Sequence, residues 1–439
     1  MNKTRPLPLM LAALLLAALP ARAQSLQELY EAARAYDATY LAARALADSA
    51  THRAEQAKAL GRPSLSLGSV VSRTETDLPS TSRLNTNTLQ AGLSGEQWLF
   101  NRANAATMSQ AEKSLAVAQA DLVTAEQDLI VRLAQAYFDV LAAQDALTTA
   151  QASKKAIGEQ LASARRNFQV GTATITDTRE AQARFDLATA QEIAADNDLR
   201  TKRIALDQLV GRANVQPQPL AVPVALPATV PAAVDEWVSL VEQAPSVRKA
   251  QLGFDIAKLE HEKARAGHLP TVKLEGTLGT SNARGSFPEL QGSEGTTSSA
   301  SLGVRFALPL YTGGSVGNRV KETVSLQEQA RNNLEAARRG VAQSTRQAFF
   351  GVQSGQAQVK ALEAAESSSK LALEATQLGY RVGVRVNLDV LNAQTQLFTT
   401  QRDLSKARYD VVVNGLRLRQ AAGNLQPSDV NAVNSLIAK

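Results

Sequence analysis

The sequence predicts a mainly helical, internally duplicated chain that carries two amphipathic β-hairpins, and three observations lead there. The first is an echo. Gln135-Ala136-Tyr137-Phe138 returns as Gln347-Ala348-Phe349-Phe350, Val170-Gly171 as Val382-Gly383, Asp177 as Asp389 and Ala181-Gln182 as Ala393-Gln394, always 212 residues apart. Upstream the separation is 207, where Glu55, Ala57, Lys58 and Pro63 match Glu262, Ala264, Arg265 and Pro270. A unit of this length is too long for a solenoid repeat and implies two copies of one supersecondary assembly. The second observation is proline placement: none lies between Pro79 and Pro217 or between Pro309 and Pro427. Proline breaks helix interiors, so these runs permit very long helices. The third is period-two alternation after Pro270, the mark of a strand with one apolar and one polar face.

Taken in order, residues 1–23 read as an export signal. Lys3 and Arg5 precede the apolar run Leu7 to Leu19, and Ala21-Arg22-Ala23 fits a small-residue cleavage site. The run is short of the ~20 residues a membrane span needs, and no other stretch qualifies as a spanning helix. A first repeat follows at 24–216: an incoming helix to Pro63, a hairpin over 63–101, a long helix and a return helix. The long helix covers Asn104 to Asn167, where Leu115, Leu122 and Leu129 recur seven apart as on a coiled-coil seam. Its ~96 Å exceeds what a soluble globular domain buries. Thr178 to Val210, ending at Gly211, and Val234 to Ala266 are of equal length and together could line one long helix. A proline-rich linker spans 217–233, and the second repeat spans 234–439, with a hairpin over 270–312, a long helix from Asn318 to Leu378 and a return from Val390 to Ala422. In that hairpin Val272, Leu274 and Leu278, then Leu302, Val304, Phe306, Leu308 and Leu310, alternate with polar or small residues. Polar tips are expected at Asp77 to Asn87 and Ser286 to Thr297.

Composition narrows the function classes. There is no cysteine, which leaves no thiol for a disulfide, a thiolate metal site or a lipid-modified N-terminus. The net charge of +6 includes Lys3, Arg5 and Arg22 of the signal, and both signs alternate along the chain, a solvated helix surface and not a nucleic-acid patch. His52, His261 and His268 are the only histidines, none with metal-ligand neighbours at suitable spacing. Gly313-Gly314-Ser315-Val316-Gly317 lacks the Lys-Ser/Thr ending of a phosphate loop, and no nucleophile–base pair stands out. No cofactor, metal or catalytic activity is expected.

Strands of about ten residues, apolar on one face and polar on the other, suit an outer-membrane barrel. Trp98, Phe100 and Tyr311 stand where second strands end, as an interfacial aromatic girdle requires. Small barrels begin near eight strands, so several chains must contribute. Lys273, Glu275 and Arg305 should then face a watery lumen, because lipid exposure near mid-bilayer costs several kcal/mol. A periplasmic coiled-coil adaptor or scaffold is the competing reading, and it needs neither hairpins nor girdle.

The sequence resembles the TolC-type outer-membrane efflux and type I secretion channels of Gram-negative bacteria. The resemblance is carried by Asn167-Phe168-Gln169-Val170-Gly171 with Ile175-Thr176-Asp177, and by Gly379-Tyr380-Arg381-Val382-Gly383-Val384-Arg385 with Leu388-Asp389-Val390-Leu391. Ala264-Arg265-Ala266-Gly267-His268-Leu269-Pro270 and Leu308-Pro309-Leu310-Tyr311-Thr312-Gly313-Gly314 resemble the flanks of the second hairpin. The resemblance implies a homotrimer with a 12-stranded barrel in outer-membrane lipid, continuous with a 12-helix periplasmic tunnel that is gated at its inner end. It also implies a periplasmic adaptor and an inner-membrane transporter as partners, with no catalysis by the channel. Residue by residue, it implies docking tips at Val170, Gly171, Thr172, Val382, Gly383 and Val384. A constriction ring falls at Asp389, with Asn392 at a second ring position where the best-known members carry aspartate. Gate links fall between Tyr380 and Arg385 on one side and Thr176 and Asp177 on the other. Weaker cation selectivity follows from Asn392.

Overall fold

The structure, a computed structural model, describes residues 24–79, 81–221 and 226–437. The export signal expected over 1–23 lies outside them. Helices α1 (Leu26–Tyr36) and α2 (Ala38–Lys58) lead into strands β1 (Ser64–Leu78) and β2 (Thr81–Phe100), then helices α3 (Arg102–Gln169) and α4 (Ile175–Val210). The order recurs with α5 (Val234–Ser239), α6 (Pro245–Ala266), β3 (Thr271–Arg284), a short α7 (Ser286–Leu290), β4 (Gly295–Ala307), α8 (Ser315–Arg381) and α9 (Asn387–Ala421), and α10 (Pro427–Asn434) follows. The fold is mainly helical.

Three expectations are corrected. The helix expected to run unbroken from Val234 to Ala266 is interrupted by a 3-10 turn at Leu240–Gln243 and an extended Ala244, and α6 starts at Pro245. Proline forces its predecessor out of the helical region yet suits a first helical position. Strand β4 stops at Ala307, short of the expected Leu308 and Leu310, because Pro309 has no N–H to give a ladder. The polar tip expected over Asp77 to Asn87 is mostly strand: Asn85, Thr86 and Asn87 pair with Glu75, Thr74 and Arg73.

The chain divides into two compact units. One, built from Ala45–Asp121 and Ser246–Ala337, holds an antiparallel sheet in the order β1-β2-β3-β4. Its register sorts side chains onto two faces. Leu67, Leu93, Leu278 and Ala300 form one cross-strand row, and Phe100, Val272 and Phe306 another. In the row Leu65–Gly95–Gly276–Leu302, the leucines lie over the glycines. The opposite face carries the row Ser66, Ser94, Thr277 and Ser301, tied by hydroxyl pairs at 2.7 Å. From Val272 to Leu278 the apolar face extends about 20 Å along the strand. Beyond it the same face turns polar at Asn282, Asn85 and Arg73. Within this unit α6 packs on α3, with Lys249 paired to Asp121 at 2.7 Å and Gln110 donating to Glu260 at 2.9 Å.

The other unit comprises Leu122–Pro245 and Arg338–Lys439 with the N-terminal residues to Arg44. Its core joins Tyr137 and Phe138 of α3 to Leu29 of α1, Leu206 of α4, Leu416 of α9 and Val430 of α10. The echoed Gln-Ala-aromatic-aromatic motif is thus core sequence in its first copy. Tyr137 donates its hydroxyl to the Gln218 carbonyl at 2.8 Å, and burial raises its pKa and keeps it neutral. Phe138 stacks on Tyr409 at 5.6 Å, whose hydroxyl donates to Asp145 at 2.8 Å.

Asp37 breaks the incoming helix into α1 and α2. Its carboxylate accepts the Tyr40 N–H at 2.7 Å, capping α2, and takes two bonds of 3.0 Å from Arg132. Burial opposes its ionisation, but the bonds from Arg132 and Tyr40 win and hold its pKa below the ordinary 3.8. The folded chain therefore binds fewer protons than the unfolded one at this site. The stabilisation is complete above the ordinary value and is lost as pH falls through the folded value. Asp37→Ala should cost about 2 kcal/mol at neutral pH, and the gap between its melting curve and that of wild type should close as the pH is lowered through the acid range. An equal gap at all pH values would contradict this.

Candidate functional site

The α3–α4 and α8–α9 hairpins turn in the same way, and the reason is local. The Thr172 N–H donates to the Asn167 carbonyl at 2.8 Å and the Gly171 N–H to Phe168 at 3.1 Å; in the second hairpin, Val384 donates to Gly379 at 2.9 Å and Gly383 to Tyr380 at 3.1 Å. These two-bond patterns are Schellman caps. They require a left-handed residue, supplied by Gly171 (φ 78°) and Gly383 (φ 81°). Around both turns Val170, Val382 and Val384 stand exposed.

After the turns the copies diverge. Asp177 closes a capping box: its Oδ2 accepts the Thr174 N–H at 2.9 Å and the Thr174 hydroxyl at 2.7 Å, while that hydroxyl accepts the Asp177 N–H. The counterpart of Thr174 is Val386, which has no hydroxyl. Asp389 is left with one long contact, 3.5 Å, from the Val386 N–H, and with the Arg385 guanidinium at 3.6 Å. Within the chain Arg385 therefore meets Asp389 and neither Thr176 nor Asp177. Tyr380 accepts a hydrogen bond from Asn167 Nδ2 at 3.2 Å, and Asn392 accepts one from Arg184 of α4 at 3.1 Å. Gln160 of α3 donates to Asn387 at the start of α9, a residue only 3% exposed whose Nδ2 has no partner. Leu391, fully buried, packs with Ile157, Leu161 and Ala181 of the first hairpin. Near their turns the two hairpins are thus held side by side by an apolar seam and these three polar links. Sequence reasoning singled out one partner in two of those links, Tyr380 and Asn392, and missed Asn167, Arg184, Gln160 and Asn387 as contacts. Asn167 lay inside a quoted motif; nothing in the pattern signalled the others.

In the sheet unit, Lys273, Glu275 and Arg305 share the polar face. Arg305 grips Glu275 with bonds of 2.8 and 3.0 Å, and Lys273 reaches both Glu96 and Glu275 at 2.9 Å. The register parts Trp98 from the other expected girdle residues. Trp98 pairs with Lys273, whose ammonium sits 5.3 Å from its ring, so it stands on the polar face and not on the face a lipid-side girdle requires. The irregularity between Trp98 and Phe100 returns Phe100 to the apolar face, in one row with Phe306. Tyr311 lies past the end of β4 and is 90% exposed. Among the described residues no group of His, Cys, Asp and Glu could hold a metal ion, and no helix is long and apolar enough to cross a membrane.

The family model described as outer membrane efflux protein matches residues 29–212 and 238–424, once over each repeat. The chain belongs to that family. It is 33% identical to the outer membrane protein TolC of Vibrio cholerae, over 94% of each chain. It is 32% identical to the alkaline protease secretion protein AprF of Pseudomonas aeruginosa, over 70% of this chain and 64% of AprF. The crystal structure of the outer membrane protein VceC from Vibrio cholerae shares the fold, with a TM-score of 0.76 and 21% identity over 91% of this chain and 96% of VceC. Membership places the chain in the Gram-negative outer membrane, in a family of channels and not of enzymes.

A Cβ at Gly171 or Gly383 would meet nothing within 4 Å, so a side chain there costs only backbone strain, about 1–2 kcal/mol. Gly171→Val and Gly383→Val should each speed hydrogen exchange at their own turn and leave protection of the Tyr137 core unchanged. Slowed or unaltered exchange at the turn would count against the assignment.

Proposed function

We propose that this chain forms the outer-membrane exit duct of a tripartite efflux or type I secretion system, passing drugs or proteins outward from an inner-membrane transporter and a periplasmic adaptor, without catalysis of its own. The observation that carries the reading is the sheet: one apolar face, one polar face, and outer edges at β1 and β4 that have no strand partner among the described residues. Open edges are not tolerated in hydrocarbon. Three copies of the four strands close a twelve-stranded barrel, with Lys273, Glu275 and Arg305 toward the lumen and Phe100 at the lipid boundary. The family's description as outer membrane efflux protein supports the efflux arm of the reading, and the name of the alkaline protease secretion protein AprF supports the protein arm.

The helices independently support assembly with further copies. By the duplication, Phe138 corresponds to Phe350 and Leu416 to Ile204. Phe138 and Leu416 share one core, 1% and 3% exposed, whereas Phe350 is 54% and Ile204 66% exposed. A neighbouring copy that lays its α4 on α8, as α9 lies on α3, covers both. Phe350→Asp should convert a heat-releasable trimer in the outer-membrane fraction into monomer, whereas Phe350→Leu should retain it. Recovery of wild type as a soluble periplasmic monomer would overturn the channel reading.

The tips Val170, Gly171, Thr172, Val382, Gly383 and Val384 are the adaptor's docking surface, and Asp389 with Asn392 lines the constriction. The Thr174 bonds to Asp177 all land on Oδ2, which leaves Oδ1 for Arg385 of an adjoining hairpin, with Thr176 beside it. Such a wet link is worth ~1 kcal/mol, and three copies hold a gate that an adaptor opens. Arg385→Ser combined with Tyr380→Phe should raise single-channel conductance several-fold; an unchanged conductance would remove the gate from the reading.

A further inference from the structure

Arg184 of α4 reaches across to α9 and donates from Nη2 to Asn392 Oδ1 at 3.1 Å. No carboxylate among the described residues lies within ion-pair distance of it. The partner's chemistry matters here. An aspartate at 392 would pair with the guanidinium and cancel its charge, whereas the asparagine amide holds it in place through a neutral acceptor and leaves the charge intact. Asp389, one turn nearer the tip, has Arg385 at 3.6 Å. Arg184 and Arg385 thus stand beside the ring positions Asn392 and Asp389, among the carboxylates Asp389, Asp177 and Glu180 of the two hairpins, and threefold repetition multiplies the contribution of Arg184 around the axis.

We propose that Arg184 tunes the ion preference of the periplasmic constriction and lowers its preference for cations over anions. This rests on reading Asp389 and Asn392 as the lining of that constriction. Removing three cations about 8 Å from a permeating ion should shift the cation-to-anion permeability ratio by about threefold to tenfold after screening.

The test is the reversal potential of the full-length channel in planar bilayers under a potassium chloride gradient. Wild type sets the reference potential. Arg184→Gln should shift toward cations by that factor, while Arg184→Lys, which keeps the charge, should hold the wild-type value. Asn392→Asp alone should shift less than Arg184→Gln combined with Asn392→Asp, because Arg184 neutralises the new carboxylate in the single variant. If Asp389→Asn moves the potential and Arg184→Gln does not, Arg184 is not on the ion path and the inference falls while the constriction reading stands. If Asp389→Asn leaves it unmoved, the constriction reading itself fails; the role of Arg184 falls with it when Arg184→Gln is also silent, and survives at another narrowing when Arg184→Gln still shifts the potential.

Discussion

Strands β1 and β4 each leave one edge of peptide N–H and C=O groups without a strand partner among the described residues, and in hydrocarbon each such group would cost several kcal/mol. The rows Leu67–Leu93–Leu278–Ala300 and Phe100–Val272–Phe306 form one continuous apolar face that suits hydrocarbon. In the proposed duct those edges pair with the edges of further copies. Such closure would enclose the opposite face of serine, threonine and paired charges.

Cyclic closure of a duplicated chain places near-identical hairpins around one axis, so a feature that must act at few points has to break the duplication. The turn after each long helix illustrates how small that break is. Thr174 and Val386 are equivalent, and only the threonine has a hydroxyl with which to complete a capping box. Asp177 therefore holds its own helix start through Oδ2, while Asp389 has only the long contact from the Val386 N–H and the Arg385 guanidinium beside it, where the first copy has Ala173. One hydroxyl thereby gives the two equivalent aspartates different partners.

Much of this was legible in the sequence. Proline-free runs marked the long helices, period two separated the faces of β3 and β4, and the echo gave the order of elements. What escaped has identifiable physical causes. Trp98 and Phe100 are two apart, so simple alternation puts them on one face; the bulge between them shifts the register by one and sends Trp98 to Lys273. The Asn85–Asn87 segment reads as a polar loop because composition reports solvent exposure, which a strand standing clear of the bilayer shares with a turn. The break before Pro245 lay within an otherwise helical pattern. Arg184 and Gln160 are single polar residues on long polar helices, and only the packing of one hairpin on the other gives them partners.

The aromatic pair of the echo shows how divergence between copies can be interpreted. Tyr137 spends its hydroxyl on the Gln218 carbonyl, which fixes the start of the linker between repeats. Phe349 has no hydroxyl and packs instead with Trp237. A chain has one such linker, so only one copy of the motif has a carbonyl to bind, and tyrosine in both copies would bury a phenol without a partner. Phe138 and Phe350 stay identical because each caps the same kind of helix contact, met once within the chain and, in a closed ring, once between copies. Phe138 and Phe350 are thus kept across the duplication, whereas Tyr137 and Phe349 differ with the contact each makes. Arg184 likewise differs from its counterpart Gln396, and its partner Asn392 stands opposite Glu180 in the first repeat.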